Sequence, residues 1–207
     1  HEGSKTLFVG DDQLDLFFFI GAPKEILTEY TNLTGKSPVP PLWSFGLWMS
    51  RFSYRSEKEV NTVADKLRKH KIPCDVIHID AGWFKKGINC DFEFDKKQFP
   101  DPQKMIAKLN DKGFKTSIWQ KPYFTQLNPI FDEVAKNKLF IKDGYGNIPT
   151  EDAILDFSNP RTIEWYSKKI EALLRLGVAV IKVEGGEAVP LKGFYTSGRM
   201  CYYDHKN

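Results

Sequence analysis

From residue 45 onward the apolar positions alternate between two periods. Compact runs at Phe45-Gly46-Leu47-Trp48-Met49, Val76-Ile77-His78-Ile79-Asp80, Lys115-Thr116-Ser117-Ile118-Trp119 and Val178-Ala179-Val180-Ile181-Lys182-Val183 have the length and side-chain content of buried strands. Between them apolar residues recur at helical spacing. One helix is predicted from Ser56 to Lys71, with Ser56 and Glu59 as the N-cap and N3 members of a capping box. Another covers 101–112, with Met105, Ile106 and Leu109 on its apolar face and Gly113 at its end. A third lies around Phe131 to Lys138, and a fourth runs from about Arg161 to Leu176, before Gly177. This alternation of strand and helix is the order of parallel βαβ units.

The front of the chain has a different texture. Residues 1–22 hold short apolar stretches broken by Gly3, Gly10, Asp11-Asp12 and Gly21, which suits strands and turns and predicts the tail of a preceding β domain. Ile26, Leu27, Tyr30 and Leu33 then recur at helical spacing, with Gly35 as a stop. Ser37-Pro38-Val39-Pro40-Pro41 can sustain neither helix nor sheet ladder. The expected organisation is therefore 1–36, the end of an N-terminal β domain with its connecting helix, and 37–207, the strand-and-helix domain.

Composition narrows the function classes. Of 207 residues 41% are hydrophobic and 28% charged, as in an ordinary globular protein. A net charge of +3, spread along the chain, argues against nucleic acid as a partner; the basic run around Lys66-Leu67-Arg68-Lys69 reads as a solvated helix face. Leu16-Phe17-Phe18-Phe19-Ile20 is too short to span a bilayer. A soluble protein is expected, with the cytoplasm favoured, although the chain opens on His1 and a leader could precede it. Cys74, Cys90 and Cys201 show neither disulfide arithmetic nor ligand spacing, so no metal is implied.

Candidate chemistry gathers where the strands end. Arg51 and Phe52 follow the first strand, Asp80 and Trp83 stand at the second, Trp119 and Gln120 at the third, and Lys182 and Glu184 at the fourth. In a parallel barrel these ends form the rim that carries the site; an open doubly wound sheet binds at the same edge and is the competing architecture. Carboxylates and a lysine suit sugar hydroxyls, and aromatic rings suit the CH faces of a sugar. No phosphate-binding glycine loop competes. Taken singly, each residue also has a plain structural role: Trp48, Trp119 and Phe52 as core aromatics, Asp80 as a cap, Lys182 as a snorkelling side chain, Glu187 as a helix-start acid and His78 as a hydrogen-bonded core histidine. Their joint occurrence at successive strand ends favours a carbohydrate site.

The segments Leu33-Thr34-Gly35, Pro40-Pro41-Leu42-Trp43, Gly46-Leu47-Trp48-Met49-Ser50-Arg51, Ile72-Pro73-Cys74-Asp75 continuing to Asp80, Asp91-Phe92, Phe99-Pro100-Asp101-Pro102 and Asp156-Phe157-Ser158-Asn159-Pro160 together resemble glycoside hydrolase family 31, which contains α-glucosidases, α-xylosidases and α-galactosidases. The resemblance implies a catalytic (β/α)8 barrel of the TIM type after a β-sandwich, with only about the first four βα units in these residues. It implies retaining hydrolysis of a terminal α-linked sugar, with no metal or organic cofactor. The family's nucleophile, the Asp of a Lys-x-Asp-Phe-Gly-Glu motif, falls on Glu184, its Lys on Lys182 and its last Glu on Glu187. The strand-two Asp that holds sugar hydroxyls falls on Asp80, and subsite aromatics fall on Trp119 and Phe52. Trp83, at the same rim, joins the expected sugar-contacting set.

Two adjacent positions depart from the motif: Glu stands at 184 in place of Asp, and Gly at 185 in place of Phe. A misplacement of about 1 Å can cost on the order of 100-fold in rate. The family's acid/base Asp, with an Arg and a His, belongs to strands five to eight, for which these residues supply no sequence. The expectation is an incomplete or impaired hydrolase, its missing barrel half supplied by the same or another chain, with a homo-oligomer as one such arrangement. The alternative is an inactive sugar-binding or half-barrel scaffold protein. Small residues at Ala81 and Gly82 predict room for a hexose C6 group, and the lack of Trp in Asn147–Ala153 puts galactose level with glucose.

Overall fold

A computed structural model describes residues 3, 13–85, 87–185, 189–190 and 193–198. The chain divides into two units, residues 1–40 and 41–207. In the first, residues 13–20 carry no strand, so the predicted β texture is not met there; an apolar run forms a strand only where a partner pairs with it. Residues 1–2 and 4–12 lie outside the described residues. Helix α1, Pro23–Thr34, begins with Glu25 reaching back to accept from Ala22 N at 2.9 Å. It ends at Gly35, whose φ of 93° and bond from its N–H to Thr31 O at 2.9 Å make it the predicted stop.

The second unit builds one parallel sheet. In chain order it holds β1 (Trp48–Arg51), α2 (Glu57–Lys69), β2 (Val76–Ile79), α3 (Pro102–Asp111), β3 (Lys115–Gln120), β4 (Tyr123–Phe124), α4 (Phe131–Lys136), β5 (Ala153–Ile154), α5 (Pro160–Arg175) and β6 (Val180–Val183). The main sheet has the order β1-β2-β3-β6, and every pair in it is parallel. Each new strand joins beside the last. The reversal of strand order that defines a doubly wound sheet is absent among these strands, which leaves the barrel order. β4 and β5, unpredicted, form a separate antiparallel pair.

The first predicted strand moves. Leu42–Phe45 winds into a 3-10 turn, with Ser44 N donating to Pro41 O at 2.9 Å and Gly46 N to Trp43 O at 3.2 Å, and extension begins only at Trp48. Central strands β2 and β3 are buried almost throughout, while β1 and β6, at the sheet's edges, are half exposed. Val60, Val63 and Leu67 of α2 and Met105, Ile106 and Leu109 of α3 fill the core against them, each worth roughly 1.5–3 kcal/mol of burial. Of the predicted capping box only half forms: Ser56 Oγ accepts from Glu59 N at 3.2 Å, but Glu59 accepts from Arg55 N at 2.9 Å and pairs with Arg51. That contact takes the Arg51 guanidinium to helix α2.

Several quoted motif residues have structural tasks. Asp101 caps α3 through Lys104 N at 2.9 Å, and Asn159 caps α5 through Arg161 N at 3.0 Å, each followed by proline at the first helical position. Asp156, 1% exposed, accepts from Ser158 N at 3.0 Å and Ser158 Oγ at 2.5 Å through one oxygen, and from Thr196 N at 2.7 Å and Thr196 Oγ1 at 2.6 Å through the other. It thereby ties the segment after β6 to the start of α5.

Candidate active site

Side chains on a strand alternate between faces, so residues two apart look the same way. His78 and Asp80, Ser117 and Trp119, and Lys182 and Glu184 are three such pairs, on or just past neighbouring strands. The parallel register sets His78 beside Ser117 and Trp119 beside Lys182. His78, 6% exposed, bonds to Ser117 Oγ through Nδ1 at 2.8 Å and to Asp80 Oδ2 through Nε2 at 3.1 Å. Asp80 Oδ1 accepts from Ala81 N at 2.8 Å. Lys182 Nζ lies 4.0 Å from Asp80 Oδ2 and 3.0 Å from Glu184 Oε2. Trp119 Nε1 donates to that same Glu184 oxygen at 2.6 Å, and Glu184 N donates to Gln120 O at 3.0 Å.

Four expected site residues, Asp80, Trp119, Lys182 and Glu184, thus meet at the C-terminal ends of β2, β3 and β6. His78 joins them; its period-two relation to Asp80 is the signal that places it on the same face. Burial pulls the His78 ring below its ordinary pKa, against the opposing pull of the Asp80 carboxylate. The Trp119 N–H, with the Lys182 ammonium beside it, holds the Glu184 carboxyl below the usual range. Burial keeps the Cys90 thiol at about 12, well outside thiolate chemistry at neutral pH.

Two expected residues stand elsewhere. Trp83 is 0% exposed, packs on Phe84 and Phe94 at centroid distances of 4.0 and 4.6 Å, and donates its only N–H to Trp119 O at 2.9 Å. Beyond the strand end the chain makes a 3-10 turn, so Trp83 supports Trp119 from the core instead of facing sugar. Phe52, 86% exposed, lines an open cavity of about 420 Å³ with Ser53, Arg55, Gly82, Phe84 and Lys85, outside the Lys182–Glu184–Trp119 contacts. Glu187 lies outside the described residues, as does Cys201.

The small residues after Asp80 are small for a packing reason. A Cβ on Gly82 would sit 2.8 Å from Ser53 Cβ and 2.9 Å from both Ser53 Oγ and Tyr54 O, and Ala81 is 5% exposed in the core. Neither therefore reports room for a C6 group. Among the described residues no group of three or more His, Cys, Asp or Glu is set to hold a metal ion, and no helix is long and apolar enough to cross a membrane.

The family model for the glycosyl hydrolases family 31 TIM-barrel domain matches residues 37–207. The chain belongs to glycoside hydrolase family 31. The α-xylosidase XylQ of Lactiplantibacillus pentosus is 39% identical over 81% of this chain and 23% of its own length. An α-xylosidase of Emericella nidulans is 37% identical over 89% and 25%, and α-glucosidase 2 of Bacillus thermoamyloliquefaciens 32% over 80% and 22%. The family 31 dextranase of Flavobacterium johnsoniae, solved with glucose, superposes with a TM-score of 0.79 at 29% identity, covering 88% of this chain and 24% of that one. The chain therefore spans about a quarter of the length of the relatives it matches, and its α/β sheet is part of a TIM barrel.

Proposed function

We propose that this chain carries the nucleophile half of a retaining α-glycoside hydrolase acting on terminal α-linked xylose or glucose, with Glu184 as the attacking carboxylate. The observation that carries the reading is the meeting of Trp119 Nε1 and Lys182 Nζ on Glu184 Oε2. Both donors take the same oxygen, which leaves Oε1 to attack the anomeric carbon. An ionised carboxylate is what such an attack requires, and the two donors favour that state. Asp80, turned by His78 and Ala81 N, is suited to accept from a sugar hydroxyl. Trp119 and Lys182 hold the nucleophile, and Trp83 backs Trp119.

Relatives described as α-xylosidases and α-glucosidases favour those two sugars. The packing reason for Gly82 removes the argument that set hexoses ahead of xylose. The carboxyl that protonates the leaving oxygen is not assigned to this chain. Half-exposed edge strands β1 and β6 call for further βα units to close a barrel, and relatives about four times as long favour the same polypeptide as their source.

The test is hydrolysis of aryl α-xyloside, α-glucoside and α-galactoside by the 207-residue chain and by any longer protein that contains it. Release of the α-anomer by the longer protein, abolished in Glu184→Gln, is the expected result. Sugar binding without turnover would replace this reading with the scaffold alternative.

A further inference from the structure

Gly185, directly after the proposed nucleophile, has φ of +84°, in the left-handed region that glycine enters without penalty. The space its missing side chain would fill is taken. A Cβ there would stand 2.6 Å from Cε2, 3.2 Å from Cζ and 3.0 Å from the hydroxyl oxygen of Tyr123. Tyr123 belongs to the small antiparallel pair, opposite Ile154 across β4 and β5, and packs against the cluster of Ile141, Ile154 and Val189. Its ring is thus anchored on one side and laid on the Gly185 backbone on the other. Upstream, Glu184 N is held by Gln120 O at 3.0 Å. Backbone constraints therefore bracket Glu184 on both sides.

We propose that Tyr123 is a positioning residue: its ring on Gly185 holds the left-handed turn that keeps the Glu184 carboxylate on Trp119 and Lys182. The catalytic meaning of this contact rests on the function proposed above, whereas the contact itself does not. The pairing also accounts for the two residues that depart from the family motif. With Tyr123 filling the space over position 185, no bulky side chain fits there. The extra methylene of a glutamate lets the carboxyl reach back to the Trp119 N–H from the turned strand end.

The test needs no turnover. The chain has five tryptophans, so five indole N–H signals appear in a proton–nitrogen correlation spectrum, and Trp119→Phe assigns the relevant one. At neutral pH, Glu184→Gln should shift that signal, because a carboxylate acceptor becomes a neutral amide. Tyr123→Ala should carry it most of the way to the Glu184→Gln position, while Tyr123→Phe, which keeps the ring, should leave it in place. Should Tyr123→Ala lose signal dispersion and not fold, Gly185→Ala takes its role, since one methyl group then meets the ring, and the same shift is expected. An unmoved Trp119 signal in Tyr123→Ala, or in Gly185→Ala where the former does not fold, overturns the proposal. So does an unmoved signal in Glu184→Gln. Absence of glycosidase activity would sink the proposed function and leave these spectra as the judge of Tyr123.

Discussion

Replacing Gly82 with alanine separates a packing role from a substrate role. The added Cβ meets Ser53 Cβ at 2.8 Å, Ser53 Oγ at 2.9 Å and Tyr54 O at 2.9 Å, where ordinary contact begins at 3.4 Å. The β1–α2 connection must therefore retreat by about 0.5–0.6 Å, the amount by which those contacts fall short of 3.4 Å. It is poorly placed to do so, because the Tyr54 ring is 0% exposed and pinned in the core. Overpacking of this kind costs about 1–3 kcal/mol, and a backbone oxygen among the obstacles puts Gly82→Ala in the upper half. For a domain of this size about 2–3 kcal/mol lowers Tm by roughly 5–10 °C. Thermal unfolding of the purified variant measures it. Ser53→Gly in the Gly82→Ala background should recover part of the loss, since it removes the side-chain obstacle and leaves Tyr54 O. In a longer protein that carries the proposed activity, the ratio of kcat/KM for α-xyloside over α-glucoside should stay unchanged. A wall that touched the sugar's C6 group would instead change that ratio about tenfold or more. An unchanged Tm with such a change in selectivity would refute the packing account and restore the hexose argument.

Two further outcomes follow from buried polar groups. Asp156→Ala strips four acceptor contacts from a residue 1% exposed and should cost about 3 kcal/mol in a denaturant melt; Asp156→Asn should cost less, and a change within error in both would remove the clamp. Because burial depresses the His78 pKa, the unfolded chain binds a proton at higher pH than the fold does, so stability is full above about pH 6.5 and falls as pH drops below it. Melts between about pH 7.5 and pH 5.5 should show this fall, and His78→Gln should flatten it.

The parts of the fold that were legible in sequence are those set by local period. Val76–Ile79 and Lys115–Gln120 carry the β-branched and aromatic residues of strands, and as central parallel strands they are covered on both faces and buried almost throughout, and α2, α3 and α5 carry one apolar face each. The first strand was misplaced at its start because Leu42–Phe45 is as apolar as a strand yet winds as a turn. The site was legible where residues sit on strands, since alternation puts Asp80 with His78 and Glu184 with Lys182. Trp83 was not, because past the strand end alternation no longer says which way a side chain faces. Nor was the Tyr123–Gly185 contact, in which a two-residue strand, too short to show a sequence period, meets a turn far along the chain. Asp156 was visible as a motif residue, but its partner Thr196 was not.

The arrangement around Glu184 is hard to explain as a stability device. Lys182 is 46% and Glu184 58% exposed, and an exposed ion pair is worth about 0–1 kcal/mol at most. Trp119 is 8% exposed and gives its only donor to this exposed carboxylate, although a buried indole N–H could be satisfied by a backbone oxygen, as that of Trp83 is. Asp80, by contrast, is turned toward His78 and the Ala81 amide. Two carboxylates that approach the same lysine thus have different partners, one held by His78 and the Ala81 amide and the other by Trp119 and Lys182 at the rim. The convergence of a buried indole N–H and a lysine on one exposed carboxylate oxygen is why Glu184, despite the residue change, is the position on which the proposed function should be tested.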